Sequence, residues 1–329
     1  MPDLTCYSLA FQGGLHLGQG LDLEESAHRL PADTLFAAWV DACLRLGMDP
    51  AALCAPFAAD PPDPPFLLTS AFPRVGALRF YPMPVDLRRV FSADALRRAD
   101  KTARRIAYLS EGLLRRALSG ECLDAYLFPA RAEDEPERGA ALQGGALWFA
   151  LEEIDLLPED FRLPAGRRHA LRRRMVWSDQ RVARVSIDRL TSASTIYHAG
   201  KVFFAEGCGL WFGVEWLDPQ RTLASGGMTF REAFARGLDA LQMDGLGGER
   251  SLGHGAFHLG ETAQVSLPGR IDPGSTLYLL SRYHPRPADL PAALEDQRAA
   301  YTLAALAGWL RSPDGPAQRR KRLRLVAEG

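Results

Sequence analysis

The stretch "GLGGERSLGHG", residues 245–255, places five glycines in eleven positions between two apolar segments. A chain uses glycine where its backbone adopts positive φ, or where another molecule lies against bare backbone. The preceding segment, residues 230–241, repeats apolar side chains at helical spacing and follows the capping box formed by Thr229 and Glu232. The following segment, residues 255–260, has the alternation of a strand. The stretch is therefore predicted to be a loop that leads from a helix into a strand.

The spacing and order of this loop exclude the common nucleotide motifs. A dinucleotide fingerprint needs G-x-G-x-x-G between a strand and the next helix, but here the third glycine position is Arg250 and the order is reversed. A P-loop needs Lys-Ser or Lys-Thr where this chain has His254 and Gly255. His254 and His258 are four residues apart, but a glycine loop entering a strand does not place them on one face. We therefore predict no cofactor and no metal.

Two interpretations of the loop remain. Its backbone N–H groups could face an extended polyanion, with Arg250, Ser251 and His254 adding side-chain donors. The alternative is a tight structural connection between the helix and the strand. Five glycines exceed what a tight turn needs, which favours the binding interpretation.

Composition indicates an ordered globular chain. Its 329 residues predict about two domains, and 47% apolar residues can build a sizeable core. A formal net charge of −1 excludes a uniformly basic nucleic-acid coat but leaves room for local basic clusters such as residues 167–174 and 319–324. The five cysteines include no C-x-x-C pair, which indicates reduced thiols in the cytoplasm. Neither a signal peptide nor a membrane span is expected.

Strand and helix patterns alternate irregularly outward from the loop. Residues 5–11 predict a strand, and residues 31–47 a helix capped by Asp33 or Thr34. Residues 179–216 predict two strands flanking a hydroxyl-rich excursion, and a final helix is expected over 287–310. The absence of regular βαβ units favours an α+β class with antiparallel sheets. A charged, Pro- and Gly-rich stretch at 129–145 suggests domains at 1–145 and 146–329.

Three motifs carry a family resemblance. The loop at 245–255 has the form G-x-G-G-x-x-S-x-G-x-G, which resembles the glycine-rich loop of the RAMP superfamily of CRISPR RNA-binding proteins. "LAFQGGLHLG" (9–18) followed by "HRLPADTLFAAWV" (28–40) is similar to the start of one type III-A subunit, the fourth of the Csm complex. "VSIDRLTSAS" (185–194) resembles that family's segment leading into a thumb-like hairpin. The chain has Ala32 where the family often has Ser.

The resemblance implies a fold and a function. It implies two ferredoxin-like (RRM-like) domains with antiparallel sheets, the glycine-rich loop and a thumb-like hairpin insertion. It also implies a non-catalytic, cytoplasmic subunit that grips the 5′ handle of the crRNA in antiviral defence. The implied protein partners are the large polymerase-like subunit and the backbone RAMP subunit of the ribonucleoprotein complex.

Single-stranded RNA is held by phosphate contacts, backbone donors and aromatic stacking, and we expect these contacts from three segments. The predicted RNA-binding residues are His16 and Gln19 after the first strand; Arg189, Thr191, Ser192, Ser194, Thr195 and Tyr197 in the hairpin; and Gly245, Gly247, Gly248, Arg250, Ser251, Gly253, His254 and Gly255 in the loop.

Two alternatives accompany this prediction. The chain could be a RAMP endoribonuclease that processes precursor crRNA, for which His28 before the first helix, or Asp22 in the loop after the first strand, would be the candidate catalytic residue. It could instead be a protein–protein scaffold with minor RNA contact, which the near-neutral net charge favours. Neither His28 nor Asp22 has a catalytic partner that the sequence identifies, so we predict no enzymatic activity.

Overall fold

A computed structural model describes residues 2–18, 26–187, 194–224, 226–268, 275–307, 309–312, 315–319 and 321–329. The strands are β1 Asp3–Phe11, β2 Phe66–Leu68, β3 Phe72–Val75, β4 Leu78–Pro82, β5 Tyr108–Ser110, β6 Gly139–Leu142, β7 Leu147–Ala150, β8 Trp177–Ile187, β9 Ser194–Phe204, β10 Cys208–Trp216, β11 Phe257–Leu259, β12 Ala263–Ser266, β13 Leu303–Leu306, β14 Trp309–Ser312, β15 Gly315–Arg319 and β16 Leu323–Val326. The helices are α1 Ala32–Arg45, α2 Pro50–Ala58, α3 Ala93–Ala103, α4 Glu111–Leu118, α5 Phe230–Asp244 and α6 Leu290–Leu294.

A large sheet organises the described chain. Ten strands form it, in the order β11-β1-β10-β3-β4-β5-β7-β6, with β12 added beside β1 and β2 beside β10. Its pairs are antiparallel except for β5 with β7. The predicted α+β class with antiparallel pairing is confirmed.

One part of the sheet has the connectivity of a ferredoxin-like unit. The βαββαβ order is followed along the chain by β1, α1, the consecutive strands β2 and β3, β10, α5 and β11, where β2 and β3 both pair with β10 and together count as one strand. The chain between β3 and β10 is an insertion into this unit, and it supplies β4 to β7 with α3 and α4. The predicted domains 1–145 and 146–329 therefore share one sheet, since β1 pairs with β10 and β11. The division at residue 145 itself stays a prediction.

Helices α1 and α5 cover one face of this unit. Leu35, Trp39 and Cys43 recur every four residues and are buried, as the helical spacing of α1 predicts. Phe234 of α5 packs against Trp39 and against Phe66 of β2. This aromatic core fixes α5 on the sheet, and with it the point at which the glycine loop begins.

The predicted hairpin is confirmed as an antiparallel pair of long strands. The prediction of two strands over residues 179–216 is wrong in number, because β10 is a third strand that pairs with β1 and β3 in the large sheet. β8 and β9 pair from Trp177 with Phe204 out to Ile187 with Ser194. Its base is tied to the chain that leaves β1, because Leu15 and Val202 exchange backbone hydrogen bonds of 2.8 and 2.9 Å. The base of the hairpin is therefore fixed to the ferredoxin-like unit.

Two local predictions are wrong. Pro31 is the cap residue of α1 and has no capping side chain, and the N–H of Ala32 donates to Oγ of Ser70 (3.0 Å). Asp33 lies 3.5 Å from Arg282 instead of capping the helix. The final helix predicted over 287–310 is reduced to α6, followed by β13 and β14. Pro287 and Pro291 remove backbone donors there, and the pairing of β13 with β16 replaces helical hydrogen bonds. Among the described residues, no helix has the length and apolar character needed to cross a membrane.

Candidate functional site

The glycine loop connects α5 to β11, in the order that the sequence predicts. Gly245 ends the helix at φ +77°, and its N–H donates to the carbonyl of Leu241. The loop is closed on itself by the N–H of Leu246, which donates to the carbonyl of Gly255 over 2.9 Å. It is also seated on the chain that leaves β1, since Gly248 N–H donates to His16 (2.8 Å) and Gly255 N–H to Gly14 (3.0 Å).

Close backbone packing explains two of the glycines. Gly247 lies at φ +86° and Gly255 at φ +78°. A Cβ at Gly247 would overlap the carbonyl of His16, and a Cβ at Gly255 would overlap the carbonyl of Leu246. Gly245 and Gly248 are also crowded by the loop and by the His16 ring. The RNA contacts predicted for these four glycines stay predictions. The packing of the loop already explains why no side chain larger than that of glycine fits at these positions.

The open face of the loop lies at Ser251, Leu252 and Gly253. A short 3-10 turn runs from Arg250 to Leu252 between two left-handed residues, Glu249 at φ +56° and Gly253 at φ +79°. Ser251 and Gly253 are exposed, and Leu252 is 57% exposed. A Cβ at Gly253 would meet nothing within 4 Å, so another molecule can approach the backbone here.

A buried lysine holds the loop from below. Lys201 of β9 has 1% of its side chain exposed, and its Nζ lies 3.0 Å from Oε2 of Glu249. The same Nζ contacts the ring of His254. Burying an ammonium group is costly unless a partner and hydrogen bonds compensate for it, so this contact ties the loop firmly to the hairpin base. Sequence reasoning missed Lys201, although a lone lysine within an apolar strand was a usable signal.

Two predicted donors have partners within the protein. His16 is 5% exposed, and its Nδ1 lies 2.6 Å from the carbonyl oxygen of Gly200. It therefore sits beneath the glycine loop, where it positions Gly247 and Gly248. Arg250 is 22% exposed and lies 3.8 Å from Asp41 on α1. Their contacts to RNA stay predictions.

Of the RNA-binding residues predicted in the hairpin, the structure describes only some. Ser194 begins β9 opposite Ile187 and is exposed. Gln19, Arg189, Thr191 and Ser192 lie outside the described residues, as do the side chains of Thr195 and Tyr197. The described part shows an exposed apolar cross-strand pair, Val185 (57%) and Ile196 (67%).

The candidate catalytic histidine has a partner that sequence reasoning did not find. His28 Nε2 lies 2.7 Å from Oδ1 of Asp179, and its ring stacks on Trp177 at a centroid distance of 4.8 Å. Asp22 lies outside the described residues. Within the described part of the chain, no group of three or more His, Cys, Asp or Glu side chains could hold a metal ion.

Comparisons with solved structures identify the fold. A chain in the crystal structure of the Csm3-Csm4 subcomplex of the type III-A CRISPR-Cas interference complex aligns with all of this chain and 91% of its own length, with a TM-score of 0.62 and 14% sequence identity. The chain has the fold of a subunit of this subcomplex. The RAMP-type fold expected from the three motifs is therefore confirmed, and at this identity the likeness establishes the fold alone.

Other comparisons are weaker. A chain of the Csm1-Csm4 cassette in complex with cA4 aligns with 100% of this chain and 85% of its own, with 17% identity and a TM-score of 0.47. A chain of the type III-B Cmr-beta complex bound to cognate target RNA aligns with 78% of this chain and 96% of its own, with 15% identity and a TM-score of 0.35. No protein-family model matches the sequence, and no curated protein matches it.

Proposed function

We propose that this RAMP-type chain is the non-catalytic crRNA-binding subunit of a cytoplasmic type III-A CRISPR interference complex. In this role it grips the 5′ handle of the guide RNA in antiviral defence, as the fourth subunit of the Csm complex. The observation that carries the proposal is the glycine loop, seated on the hairpin base with its 251–253 face open.

The open face has the chemistry that single-stranded RNA requires. Ser251 brings a hydroxyl that can meet phosphate or 2′-OH oxygens. The N–H of Gly253 already donates to the carbonyl of Arg250 (2.9 Å), so Gly253 offers RNA open space and a carbonyl that can accept from a 2′-OH. The loop is held rigidly by backbone hydrogen bonds and by Lys201, so little conformational entropy is lost when a ligand binds. The β8–β9 hairpin supports the loop from beneath, where Lys201 of β9 contacts Glu249 and His254.

The protein partners follow from the resemblance. The chain shares the fold of a subunit of the solved Csm3-Csm4 subcomplex, which supports a neighbouring backbone RAMP subunit. The large polymerase-like subunit is proposed as the second neighbour from the sequence motifs. In this arrangement the chain joins the large subunit to the backbone of the complex.

Gly253→Asn tests the open face directly. Asparagine tolerates left-handed backbone, and its side chain would project into open space, so the loop should stay folded while RNA is kept away. We expect crRNA affinity to fall about tenfold, which corresponds to roughly 1.4 kcal/mol. The measurement is titration of the assembled complex with a labelled crRNA that carries the 5′ handle.

Gly120→Asn is the matched control. Gly120 follows α4, has φ +83°, and has nothing within 4 Å of its missing Cβ. This variant should bind crRNA like the wild type. Equal affinity for all three proteins would contradict the proposed RNA face and favour the scaffold alternative, as would a flat dependence of affinity on salt.

His28→Ala tests the endoribonuclease alternative, which the 2.7 Å contact of His28 with Asp179 favours, because a carboxylate can orient a catalytic imidazole. We expect no specific cleavage of repeat RNA by the wild type or by the variant. Specific cleavage that is present in the wild type and lost in His28→Ala would contradict the non-catalytic proposal. The measurement is a gel assay of precursor crRNA after incubation with each purified protein.

A further inference from the structure

A basic surface lies on the segment that leads into the β8–β9 hairpin. The arginine segment, residues 162–174, immediately precedes β8 and contains a 3-10 turn from Arg168 to Arg173. No aspartate or glutamate occurs between residues 161 and 178. Six arginines fall within the segment: Arg162, Arg167, Arg168, Arg172, Arg173 and Arg174.

These arginines differ from many others on the described surface. Arg45, Arg104 and Arg116, for example, each lie within 2.8 Å of a carboxylate oxygen. By contrast, none of the guanidinium groups at 167–174 forms an ion pair with a described residue. A run of cations without carboxylates on the protein is suited to an anionic partner.

The carboxylate that touches the segment serves its backbone. Oε1 of Glu135 accepts hydrogen bonds from the N–H groups of Gly166 (2.8 Å) and Arg168 (3.2 Å). Oε2 accepts from the N–H of His169 (3.1 Å) and also lies 3.3 Å from the His169 ring. Glu135 therefore orders the start of the turn and forms no ion pair with the guanidinium groups.

Arg168 and Arg172 line a surface pocket, and contacts hold the side chain of Arg172 in place. Arg172 donates to the carbonyls of Ala130 (3.0 Å) and Pro129 (3.3 Å), and its guanidinium lies 5.2 Å above the centre of the Phe128 ring. Nε of Arg168 is buried without a hydrogen-bond partner in the described structure. Arg131 lines the same pocket, and so does Asp134, which pairs with none of these arginines.

Arginines crowd one another at this pocket. Burial lowers the pKa of Arg172, and the nearby charge of Arg105 lowers it further. An anion in the pocket would relieve this repulsion, and a fixed guanidinium matches the geometry of phosphate oxygens.

An unusual residue connects the arginine segment to the hairpin. Gln143 has φ +51°, and its side chain accepts from the N–H of Val176 (2.6 Å) and donates to the carbonyl of Trp177 (3.0 Å). β8 continues from Trp177 to Gln180, which pairs with Lys201 beneath the glycine loop. At about 3.3 Å per extended residue, the chain from Arg174 to Gln180 spans roughly 20 Å.

We propose that the arginine segment, together with Arg105 and Arg131, binds the phosphodiester backbone of the RNA strand that the glycine loop holds. The proposal rests on RNA binding at the loop and extends it by a second contact on the segment that leads into β8. The segment contributes charge and no base contact, so its binding is independent of sequence. Continuity with the hairpin favours RNA over an acidic segment of a partner protein.

The double variant Arg173→Gln/Arg174→Gln tests this contact. Both side chains are exposed and make no described ion pair, so the fold should be retained. We expect crRNA affinity to fall about tenfold at low salt. The slope of log affinity against log salt should decrease by roughly 1.4, because each lost phosphate contact to a single strand removes about 0.7. The measurement is titration of the full chain with handle RNA and with an unrelated RNA of equal length.

Arg97→Gln/Arg98→Gln on α3 removes the same charge at two exposed arginines and is the control. A slope change equal to that of the control would overturn the proposal, as would an effect confined to the handle sequence. Weaker assembly with a partner subunit in the absence of RNA would also overturn it, in favour of a protein contact. Loss of affinity in Arg173→Gln/Arg174→Gln with normal binding by Gly253→Asn would support this site while contradicting the proposed loop face.

Discussion

Replacing Gly255 with alanine is expected to break the backbone hydrogen bond that closes the glycine loop and to reduce crRNA affinity about 100-fold. The new Cβ would overlap the carbonyl of Leu246, whose own N–H bonds to Gly255 and closes the loop. Left-handed backbone costs an alanine about 1–2 kcal/mol, and overpacking adds about 1–3 kcal/mol. The opening free energy of the loop should therefore fall by roughly 2–5 kcal/mol. Hydrogen exchange at the amides of Leu246, Gly248 and Gly255 measures this quantity.

Gly253→Ala is the matched comparison, because Gly253 has nearly the same φ, +79° against +78°, and open space around its missing Cβ. It should show the backbone cost of about 1–2 kcal/mol without the overlap. Similar exchange rates in the two variants would mean that the loop does not close as the structure shows. Normal crRNA binding by a Gly255→Ala protein with an opened loop would separate loop closure from RNA capture.

Lys201→Met is expected to have the second large effect. The substitution removes the ammonium group that lies 3.0 Å from the carboxylate of Glu249. That carboxylate, whose side chain is only 16% exposed, is then left without this partner. Removing one member of a buried ion pair costs about 3–5 kcal/mol, and this loss should appear as loosening of the loop from the hairpin base. Hydrogen exchange of the loop amides and crRNA titration measure the two consequences.

The double variant Lys201→Met/Glu249→Gln separates charge from packing. Removing the stranded carboxylate should recover a substantial part of the lost loop protection, which gives a coupling energy between the two positions. If the two single variants add without coupling, the ion pair does not hold the loop. Gln180→Met on the paired position of β8 provides a control that changes the same part of the hairpin without removing a charge.

Local signals predicted the elements around the site well. The capping box at Thr229 and Glu232 marks the start of α5, and the glycine spacing marks the loop after it, because both depend on neighbouring residues alone. The hydroxyl-rich excursion correctly implied the β8–β9 hairpin. The family motif then indicated a fold that the comparison with the Csm3-Csm4 subcomplex confirms.

Local sequence patterns could not predict the contacts between segments that are distant in the sequence. The pairing of Lys201 with Glu249 joins residues 48 positions apart, and the placement of His16 under Gly248 joins still more distant ones. The glycines were interpreted as a bare strip for RNA, yet the structure uses Gly247 and Gly255 to let two backbones touch. No periodicity reports such contacts, since they depend on how the sheet brings β1, β9 and α5 together.

The interrupted ferredoxin-like unit sets the order in which this chain can fold during synthesis. β1 is complete within the first eleven residues, but its central neighbour β10 begins at Cys208, and β11 ends at Leu259. Such non-local pairing is slow, and a strand with unpaired edges is prone to wrong pairing. The inserted strands β4 to β7 emerge from the ribosome before β10 and β11, the strands that pair with β1, have been made. The glycine loop can be seated only after residue 255 has been made, so the proposed RNA capture follows the pairing of β1 with β10.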